Sequence, residues 1–569
     1  MFTVDQVIQD KYPSVAQKPL VFKALCGTLK YLLHETEFKQ FHRDYPHLDG
    51  IDFVEKVLEY FNFSYQISNQ DYERIPAFGR VVIVANHPIG SLDGLALIKL
   101  VHDIRKDVKI IANDLLMSLQ PLHKVLLPVN NMNGSTPKQN LNAIQNYLEG
   151  DGAVIIFPAG EVSRAKLSGV KDGKWHSGFV RMARAAKAPI LPMFVDARNS
   201  LAFYLASAIY KPMATLLLVK EMFKQRQKTV TIKVGNPIVY DSYANININP
   251  KQKAQLFRKH LYAVAAGKKL VFETETSVAH PEKPLDIFTE LKAHELLGKT
   301  PDNKDIYLCK DLNDSVILRE IGRLREIAFR AVGEGTGKKR DTDIYDRHYY
   351  HLVLWDNEHL EIVGAYRFCD TKTTLAKYGC NKLYTATLFN FNQSMDEYLA
   401  QGLELGRSFV QPKYWGKRSL DYLWFGIGAF VRKHPDFRYL FGPVSISNQM
   451  PQAGKDLLIY FYQSYFSDAE TKCAQSFHPY NVEQSVVEKL KASFSGDDYR
   501  ADFILLKSLL ANMGCSIPTL YKQYTELCDN GGVKFLDFGT DPDFADCVDG
   551  LVLVDLMKLK DKKRKRYIG

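Results

Sequence analysis

The first half of the chain carries short apolar runs separated by longer segments with helical spacing. Arg80–Ala85 (RVVIVA), Val108–Ala112 (VKIIA) and Gly152–Phe157 (GAVIIF) are rich in β-branched residues, and Pro189–Val195 and Val230–Val234 (VTIKV) follow. Between them, Pro137–Leu148 and Phe179–Ala188 repeat apolar residues at three- and four-residue intervals. Strands alternating with helices predict a mixed or parallel sheet whose loops gather at one edge. Ala202–Val219 (AFYLASAIYKPMATLLLV) is nearly uncharged, but Lys211 and Pro212 divide it. A spanning helix needs about 20 apolar residues, and Pro breaks a helix interior. The stretch therefore reads as two short apolar helices, either buried or lying in a membrane interface.

From Glu273 to Asp305 the sequence turns polar, with Pro281, Pro284 and Pro301, and reads as a linker. Beyond it Asp311–Arg330 and Ser419–Lys433 have helical patterns. His351–Trp355, Ile362–Phe368, Glu404–Val410 and Arg438–Ile446 read as strands. The fold class is α/β, with one domain over residues 1–272, a linker over 273–305 and a second domain over 306–569.

Composition narrows the partners. A hydrophobic content of 46% and a charged content of 24% are those of an ordinary globular protein, which excludes disordered and low-complexity classes. Of the net charge of +10, seven basic residues and one acidic residue between Lys558 and Arg566 supply +6. A surplus concentrated in one tail argues against a nucleic-acid channel and fits a membrane surface or an acidic protein. The eight cysteines are scattered without a CxxC pair or a neighbouring His cluster, so reduced thiols and no structural zinc are expected. The start, MFTVDQVIQDKYP, lacks a basic n-region followed by an apolar h-region, and a cytoplasmic location is expected.

Three loops carry the candidate chemistry of the first half. Asn86-His87-Pro88-Ile89-Gly90-Ser91-Leu92-Asp93-Gly94 follows the strand RVVIVA directly, at the kind of strand end where α/β proteins place chemistry. An Asp beside one imidazole nitrogen fixes the tautomer, so the other nitrogen can take a proton from a hydroxyl. Ser91 is not in a G-x-S-x-G elbow, which disfavours a Ser-His-Asp triad. Phe157-Pro158-Ala159-Gly160-Glu161-Val162-Ser163-Arg164 offers an Arg beside a Gly, a pairing suited to a phosphate or carboxylate. Trp175-His176-Ser177-Gly178-Phe179 then leads into Ala188-Pro189-Ile190-Leu191-Pro192.

In this order and spacing the blocks resemble the glycerolipid acyltransferase superfamily over roughly residues 60–240. Five residues separate His87 from Asp93, where the phosphatidic-acid-forming members have four, and Ala159 stands where phosphate-binding members commonly carry Glu. The N-H-P-I-G-S-L-D-G form is more similar to the branch that carries the hemolysin label, together with the lyso-ornithine-lipid acyltransferases. This resemblance implies His87 as general base, Asp93 as its orienter, and Gly160, Glu161 and Arg164 as substrate-binding residues.

In the second half, Gly333-Glu334-Gly335-Thr336-Gly337-Lys338-Lys339 fits neither the P-loop nor the dinucleotide template and reads as a flexible loop. Arg325, Asp341, Asp343, Asp346, Arg367, Glu404 and Arg407 form a charge constellation. Arg367, Glu404 and Arg407 interrupt apolar strands, where a charge is costly unless it is paired or at work. The set resembles acyl-homoserine-lactone synthases and ornithine N-acyltransferases, a branch of the Gcn5-related acetyltransferase fold, over about residues 306–560. Arg438–Ser447 and Asp541-Pro542-Asp543-Phe544 are more similar to the ornithine-lipid side.

The resemblance implies Glu404 as the group receiving the amine proton, with Arg367 and Arg407 positioning the thioester or pairing with acidic groups. Lys413, Lys417 and Arg418 stand where coenzyme-A-using relatives have a glycine-rich pyrophosphate loop. They imply acyl carrier protein and its phosphopantetheine as donor, with no other cofactor and no metal.

Taken together, the chain resembles bifunctional ornithine-lipid synthases: a lyso-lipid O-acyltransferase fused to an amino-acid N-acyltransferase, peripheral on the inner face of the membrane. Glycine lipid is the nearest alternative product. A lysophosphatidic acid acyltransferase with a regulatory second domain is a further alternative, and a membrane-lytic protein is disfavoured by the absence of a spanning segment.

Overall fold

The computed structural model describes residues 4–5, 9, 17–112, 117, 119–128, 138–166, 169–209, 211–467 and 472–569. Two units divide it, Met1–His280 and Pro281–Gly569. In the first, the apolar runs become strands of one sheet: β1 (Ser64–Gln66), β2 (Val81–Ala85), β3 (Val108–Ala112), β4 (Leu126–Pro128), β5 (Ala153–Ile156), β8 (Ile190–Asp196) and β9 (Thr229–Val234). A small separate hairpin holds β6 (Arg164–Lys166) and β7 (Gly169–Lys171). The sheet order is β1-β9-β8-β2-β5-β3-β4, parallel throughout except between β8 and β9.

All five residues of β2 are buried. Val81, Ile83 and Ala85 enter one apolar core, and Val82 and Val84 enter the other. A strand covered on both faces has no polar alternation, which is why RVVIVA reads as a solid apolar run. The helix Leu92–Ile104 covers the first face with Leu92, Ala96, Leu97 and Val101. The helices Gly178–Ala185 and Pro250–Ala266 cover the second with Phe179, Val180, Phe257 and Leu261.

The apolar stretch forms two helices, Leu201–Ile209 and Lys211–Phe223, with Tyr210 outside the described residues. Phe203 and Tyr204 are buried against Val162, while Leu201 and Leu205 are 74% and 59% exposed. No helix among the described residues is long and apolar enough to cross a membrane. The helix expected from Pro137 is seen from Lys138 to Glu149, with Pro137 outside the described residues.

The second unit holds an eight-stranded sheet. Its strands are β10 (Glu295–Lys299), β11 (Lys304–Cys309), β12 (Tyr350–Asp356), β13 (Glu361–Asp370), β15 (Gly402–Val410), β16 (Tyr439–Ile446), β18 (Val533–Asp541) and β19 (Cys547–Asp555). The order is β10-β11-β12-β13-β15-β16-β19-β18. A separate pair, β14 (Phe389–Phe391) and β17 (Ala474–Ser476), lies outside it. Only β15 and β16 are parallel neighbours in the large sheet, and they pair over three positions, Gly402–Glu404 against Tyr439–Phe441. Past those positions the two strands share no register, and Pro443 brings no N–H with which to extend the ladder.

Two expectations need correction. The segment 273–305 is not a linker. Ser277 Oγ donates to the Arg74 carbonyl at 2.7 Å and His280 Nε2 lies 2.8 Å from the Ile75 carbonyl, which ties its start to the first unit. From Pro281 it belongs to the second unit, as the helix Pro284–Leu291 and the edge strand β10. Pro284 occupies the first helical turn, where its missing N–H costs nothing, so a residue that reads as a breaker is a helix start.

The basic C-terminal segment is likewise not a free tail. Asp561–Tyr567 is a helix lying on the helix Ser419–Lys433. Tyr567 is buried and its hydroxyl donates to Asp421 at 2.8 Å, Arg566 pairs with the same carboxylate, and Lys558, Lys560 and Arg564 donate to backbone carbonyls. Lys562 and Lys565 remain exposed. Cys26, Cys309, Cys369, Cys528 and Cys547 are buried free thiols, Cys473 is buried and Cys515 is half-buried; the Cys380 side chain lies outside the described residues.

This C-terminal docking rests on one glycine. A Cβ at Gly428 would stand 2.0 Å from the Tyr567 carbonyl oxygen. Gly428→Ala is therefore expected to displace the C-terminal helix and lower stability by about 1–3 kcal/mol, the usual range for overpacking. Urea titration checks this, and a midpoint equal to wild type would contradict the close approach.

Candidate active sites

In the first unit, β2 ends at Ala85 and the chain turns through Asn86–Ser91 into the helix Leu92–Ile104. The Asn86 amide exchanges two hydrogen bonds with the backbone of Val195, at 2.9 and 2.8 Å, and so locks the strand end to β8. Asp93, fully buried in the first helical turn, accepts from the backbone N–H of Ile89, Gly90 and Gly94 at 3.1, 3.3 and 2.9 Å. Its remaining partner is His87, with Nδ1 at 3.1 Å from Oδ2. An Nδ1–H donating there leaves Nε2 as the proton acceptor. The imidazole stacks on Phe157 at 4.0 Å between ring centroids and keeps part of its surface open.

The pair is electrostatically coupled. Burial presses His87 towards neutrality, but the Asp93 charge and the hydrogen bond between them outweigh it, and the imidazole is held above its ordinary 6.5. Burial likewise opposes ionisation of Asp93, yet His87 and the loop N–H groups hold its carboxyl below the usual carboxylate range. Gly90 is required here: its φ is +89°, and a Cβ would stand 2.7 Å from Val162. Ser91 Oγ is buried without a hydrogen-bond partner, so no Ser–His pair forms.

The second loop is fastened to the first. Ser163 N–H donates to the His87 carbonyl at 2.8 Å. Asp172, buried, accepts from Ser163 Oγ at 2.5 Å, from the His87 N–H at 3.3 Å and from Trp175 Nε1 at 2.8 Å. Its burial pushes the carboxyl up despite these donors. Asp172 is a positioning residue that the motif reading passed over, although it lies three residues before Trp175. Arg164 opens β6 with Nη2 at 3.5 Å from Glu161, while its Nε and Nη1 have no hydrogen-bond partner. Gly160 is exposed, with φ +64°. His87, Asp93 and the 157–164 loop are thus brought together.

In the second unit the charge constellation forms a buried network. Arg367 Nη1 donates to Asp343 at 2.6 Å and to Asp346 at 2.9 Å, and Arg325 Nη1 donates to the same Asp346 oxygen at 2.9 Å. Burial opposes the charge on Asp346, but the two guanidinium groups hold its carboxyl far below the usual range. Glu404 is 1% exposed and accepts from Thr385 N–H at 2.5 Å, Tyr384 N–H at 3.3 Å and the Tyr349 hydroxyl. With its oxygens so filled, Glu404 anchors the Tyr384–Thr385 backbone and does not line the nearby cavity. Its expected role as proton acceptor is therefore replaced by a positioning one.

Where β15 and β16 part there is a cavity of about 90 Å³, lined by Glu334, Tyr384, Arg407, Pro443, Phe544 and Asp549 among others. Of the expected residues only Arg407 reaches it. Glu334 and Asp549 were not singled out in the sequence, the first because it lies in the glycine-rich loop and the second because it interrupts a distant strand. That loop is tethered rather than flexible: Glu326 accepts from Thr336 N–H, Thr336 Oγ1 and Gly337 N–H at 3.1, 2.7 and 2.9 Å. Two of the loop's amides are thus filled by the chain's own carboxylate. Lys413 pairs with Glu361 at 2.5 Å, Arg418 with Asp421 at 3.2 Å, and Lys417 lies over the Tyr414 ring; Lys413 and Arg418 are more than half exposed.

Comparison with known proteins agrees with this division. Residues 6–267 match an acyltransferase family and residues 324–425 an acetyltransferase (GNAT) domain. The chain is 34% identical over 278 residues to a glycine N(alpha)-acyltransferase of Bacteroides thetaiotaomicron, covering 47% of this chain and 81% of the relative. It is 31% identical over 241 residues to a lyso-glycine lipid O-acyltransferase of Phocaeicola vulgatus, covering 41% of this chain and 85% of the relative. An L-ornithine N(alpha)-acyltransferase of Brucella abortus is 30% identical over 169 residues, 25% of this chain and 59% of the relative. The chain therefore belongs to the aminolipid acyltransferases and joins an acyltransferase domain and a GNAT domain in one polypeptide.

Proposed function

We propose that the chain carries out two consecutive acylations in aminolipid synthesis. The second unit joins a 3-hydroxyacyl group, delivered as a thioester of acyl carrier protein, to the α-amine of an amino acid. The first unit then esterifies the hydroxyl of that lyso-lipid. The observation that carries the reading is that one chain is similar to proteins named for both steps. The first product bears the free hydroxyl that the second step needs as its acceptor. Glycine is favoured over ornithine because the glycine-named relatives are matched over 81% and 84% of their length, against 59% for the ornithine-named one.

In the ester step His87 Nε2 takes the hydroxyl proton as the oxygen attacks the thioester carbonyl. The C–S bond breaks and the thiol leaves with that proton, while Asp93 stabilises the transient imidazolium. Arg164, with two donor atoms unpartnered, receives the carboxylate of the lyso-lipid. Glu161 steers its guanidinium and Gly160 keeps the approach open.

In the amide step Arg367 stiffens the network behind the cavity and Glu404 fixes Tyr384 at its wall. Lys413, Lys417 and Arg418 receive the acidic carrier; exposed ion pairs such as those with Glu361 and Asp421 are worth little and exchange readily for a partner's carboxylates. The product is a lipid, and the enzyme works at the inner membrane surface. Exposed Leu201 and Leu205 enter the interface there, and Lys562 and Lys565 are attracted to anionic headgroups by about 1 kcal/mol each.

Expression in a host without aminolipids, followed by lipid mass spectrometry, tests the order of the steps. Wild type should yield diacyl aminolipid, with the protein in the membrane fraction at low salt; recovery in the soluble fraction would contradict the surface assignment. His87→Ala should accumulate the lyso-lipid, because loss of a general base costs about 10²–10⁴-fold. Normal diacyl product from that variant would overturn the assignment.

The ester step also has a signed pH dependence. Only neutral imidazole accepts a proton, so initial rates with added lyso-lipid should climb through a midpoint above 6.5. Asp93→Asn removes the charge that raises His87, so the midpoint should move to lower pH while the rate falls. An unmoved or raised midpoint counts against the coupling.

For the donor, Lys413→Glu, Lys417→Glu and Arg418→Glu together should raise KM for the carrier-bound acyl group with little change in kcat. Unaffected turnover with the carrier, alongside impaired turnover with a coenzyme A thioester, would reverse the donor assignment.

A further inference from the structure

The cavity between β15 and β16 contains an Arg in a conformation its strand does not require. Ala365 pairs with Phe409 and Arg367 with Gly406, so Arg407 and Ser408 together oppose Tyr366 as a β-bulge. Arg407 has φ +49°, a left-handed conformation that strains a non-glycine residue. A bulge re-aims a side chain, and this one turns Arg407 into the cavity. The guanidinium lies 5.0 Å from the Tyr384 ring centroid and 4.5 Å from that of Phe544. Its side chain is 10% exposed, and Nε has no hydrogen-bond partner. Its Nε pairs with Asp341 and Asp343 at 3.8 and 3.9 Å, too long for a hydrogen bond; Asp343 is also held by Arg367, whereas Arg407 is the largest charge lowering Asp341. Arg407 thus has its charge paired at a distance while its Nε–H makes no hydrogen bond.

The same cavity is walled by Asp549 and Glu334. Asp549 is 3% exposed and lies opposite Ser445 in the β16–β19 register; Glu334 is held in place by the Gly-rich loop, its N–H donating to the Phe329 carbonyl at 2.8 Å. Neither forms an ion pair among the described residues. Each carboxyl is pushed up to about 7, Glu334 by burial and the Asp549 charge, and Asp549 by burial and the Asp541 charge. One cavity therefore presents a cation with an unused hydrogen-bond donor and two carboxyls that bind protons more tightly than ordinary ones.

We infer that this cavity is the amino-acid subsite of N-acylation, in which Arg407 receives the α-carboxylate of a small, glycine-sized amino acid while Asp549 and Glu334 face its α-amine and one of them takes the amine proton. This rests on the reading of the second unit as the N-acylating one. An α-amino acid enters with its amine protonated, and nitrogen must lose that proton before it can attack. A carboxylate whose proton affinity is raised towards the working pH is a better acceptor than an ordinary one. Nitrogen sheds two protons in becoming the amide N–H: the first passes to Asp549 or Glu334 before attack and on to solvent, and the second, lost as the N–C bond forms and the thioester C–S bond breaks, passes to the leaving thiolate. Glycine is the acceptor favoured above, and among the described residues lining the cavity no carboxylate besides Glu334 and Asp549 is present for a side-chain ammonium.

The test uses the full chain, acyl carrier protein loaded with a 3-hydroxyacyl group, and glycine, ornithine or methylamine as acceptor. Glycine should be the best acceptor, and methylamine poor because it lacks a carboxylate. Arg407→Gly, which relieves the left-handed strain, should stay folded and lose about 10- to 100-fold in kcat/KM for glycine, the range of a charge-assisted contact. Its effect on methylamine should be much smaller, because methylamine has no carboxylate for Arg407 to hold. Asp549→Asn and Glu334→Gln should slow amide formation with both acceptors, while esterification of added lyso-lipid by the same variants stays normal and reports an intact fold.

The inference is overturned if Arg407→Gly slows methylamine as much as glycine, if both carboxyl variants keep wild-type rates, or if ornithine is the better acceptor. If wild type acylates none of these amines although it esterifies added lyso-lipid, the N-acylation reading itself falls, and the subsite with it.

Discussion

A carboxylate removed from water needs donors for its oxygens, and both active regions of this chain are shaped by that requirement. Asp93 gathers three backbone N–H groups and one imidazole, and in doing so bends the 86–91 loop around itself. Asp172 joins that loop to the next by accepting from His87 and Ser163 together. Glu404 does the same for Tyr384 and Thr385, and Glu326 for Thr336 and Gly337. In each case one carboxylate gathers the backbone of a neighbouring loop or turn. Removal of the carboxylate would leave several N–H groups buried and unpaired.

Arg407 departs from this pattern: it sits at a left-handed bulge, its Nε lacks a hydrogen bond and pairs with Asp341 and Asp343 only at 3.8 and 3.9 Å, and Asp549 and Glu334 line the same cavity. Raised carboxyl pKa values carry a sign: the stabilisation is complete below the unfolded values near 4 and is lost as pH rises through about 7. The first unit shows the same economy on a smaller scale, with Arg164 keeping two donor atoms unpartnered near the loop that carries His87.

The sequence by itself determined the α/β class, five of the seven strands of the first sheet and the His87–Asp93 pair. These are local in origin: a strand buried on both faces must be apolar along its length, and His87 and Asp93 share one loop and the helix turn after it. Tertiary structure decided what local spacing cannot carry. Asp549 meets Arg407 and Glu334 only because β19 lies beside β16 and because β15 parts from β16 after three positions. Glu404 reads as a charge awaiting work until the Tyr384–Thr385 backbone, about twenty residues earlier, is seen to fill it. The polar 273–305 segment and the basic end of the chain read as linker and tail because their partners, Arg74, Ile75 and Asp421, are far away in sequence. Pairing between distant residues is set by packing, and packing is where the chain's charges acquire their roles.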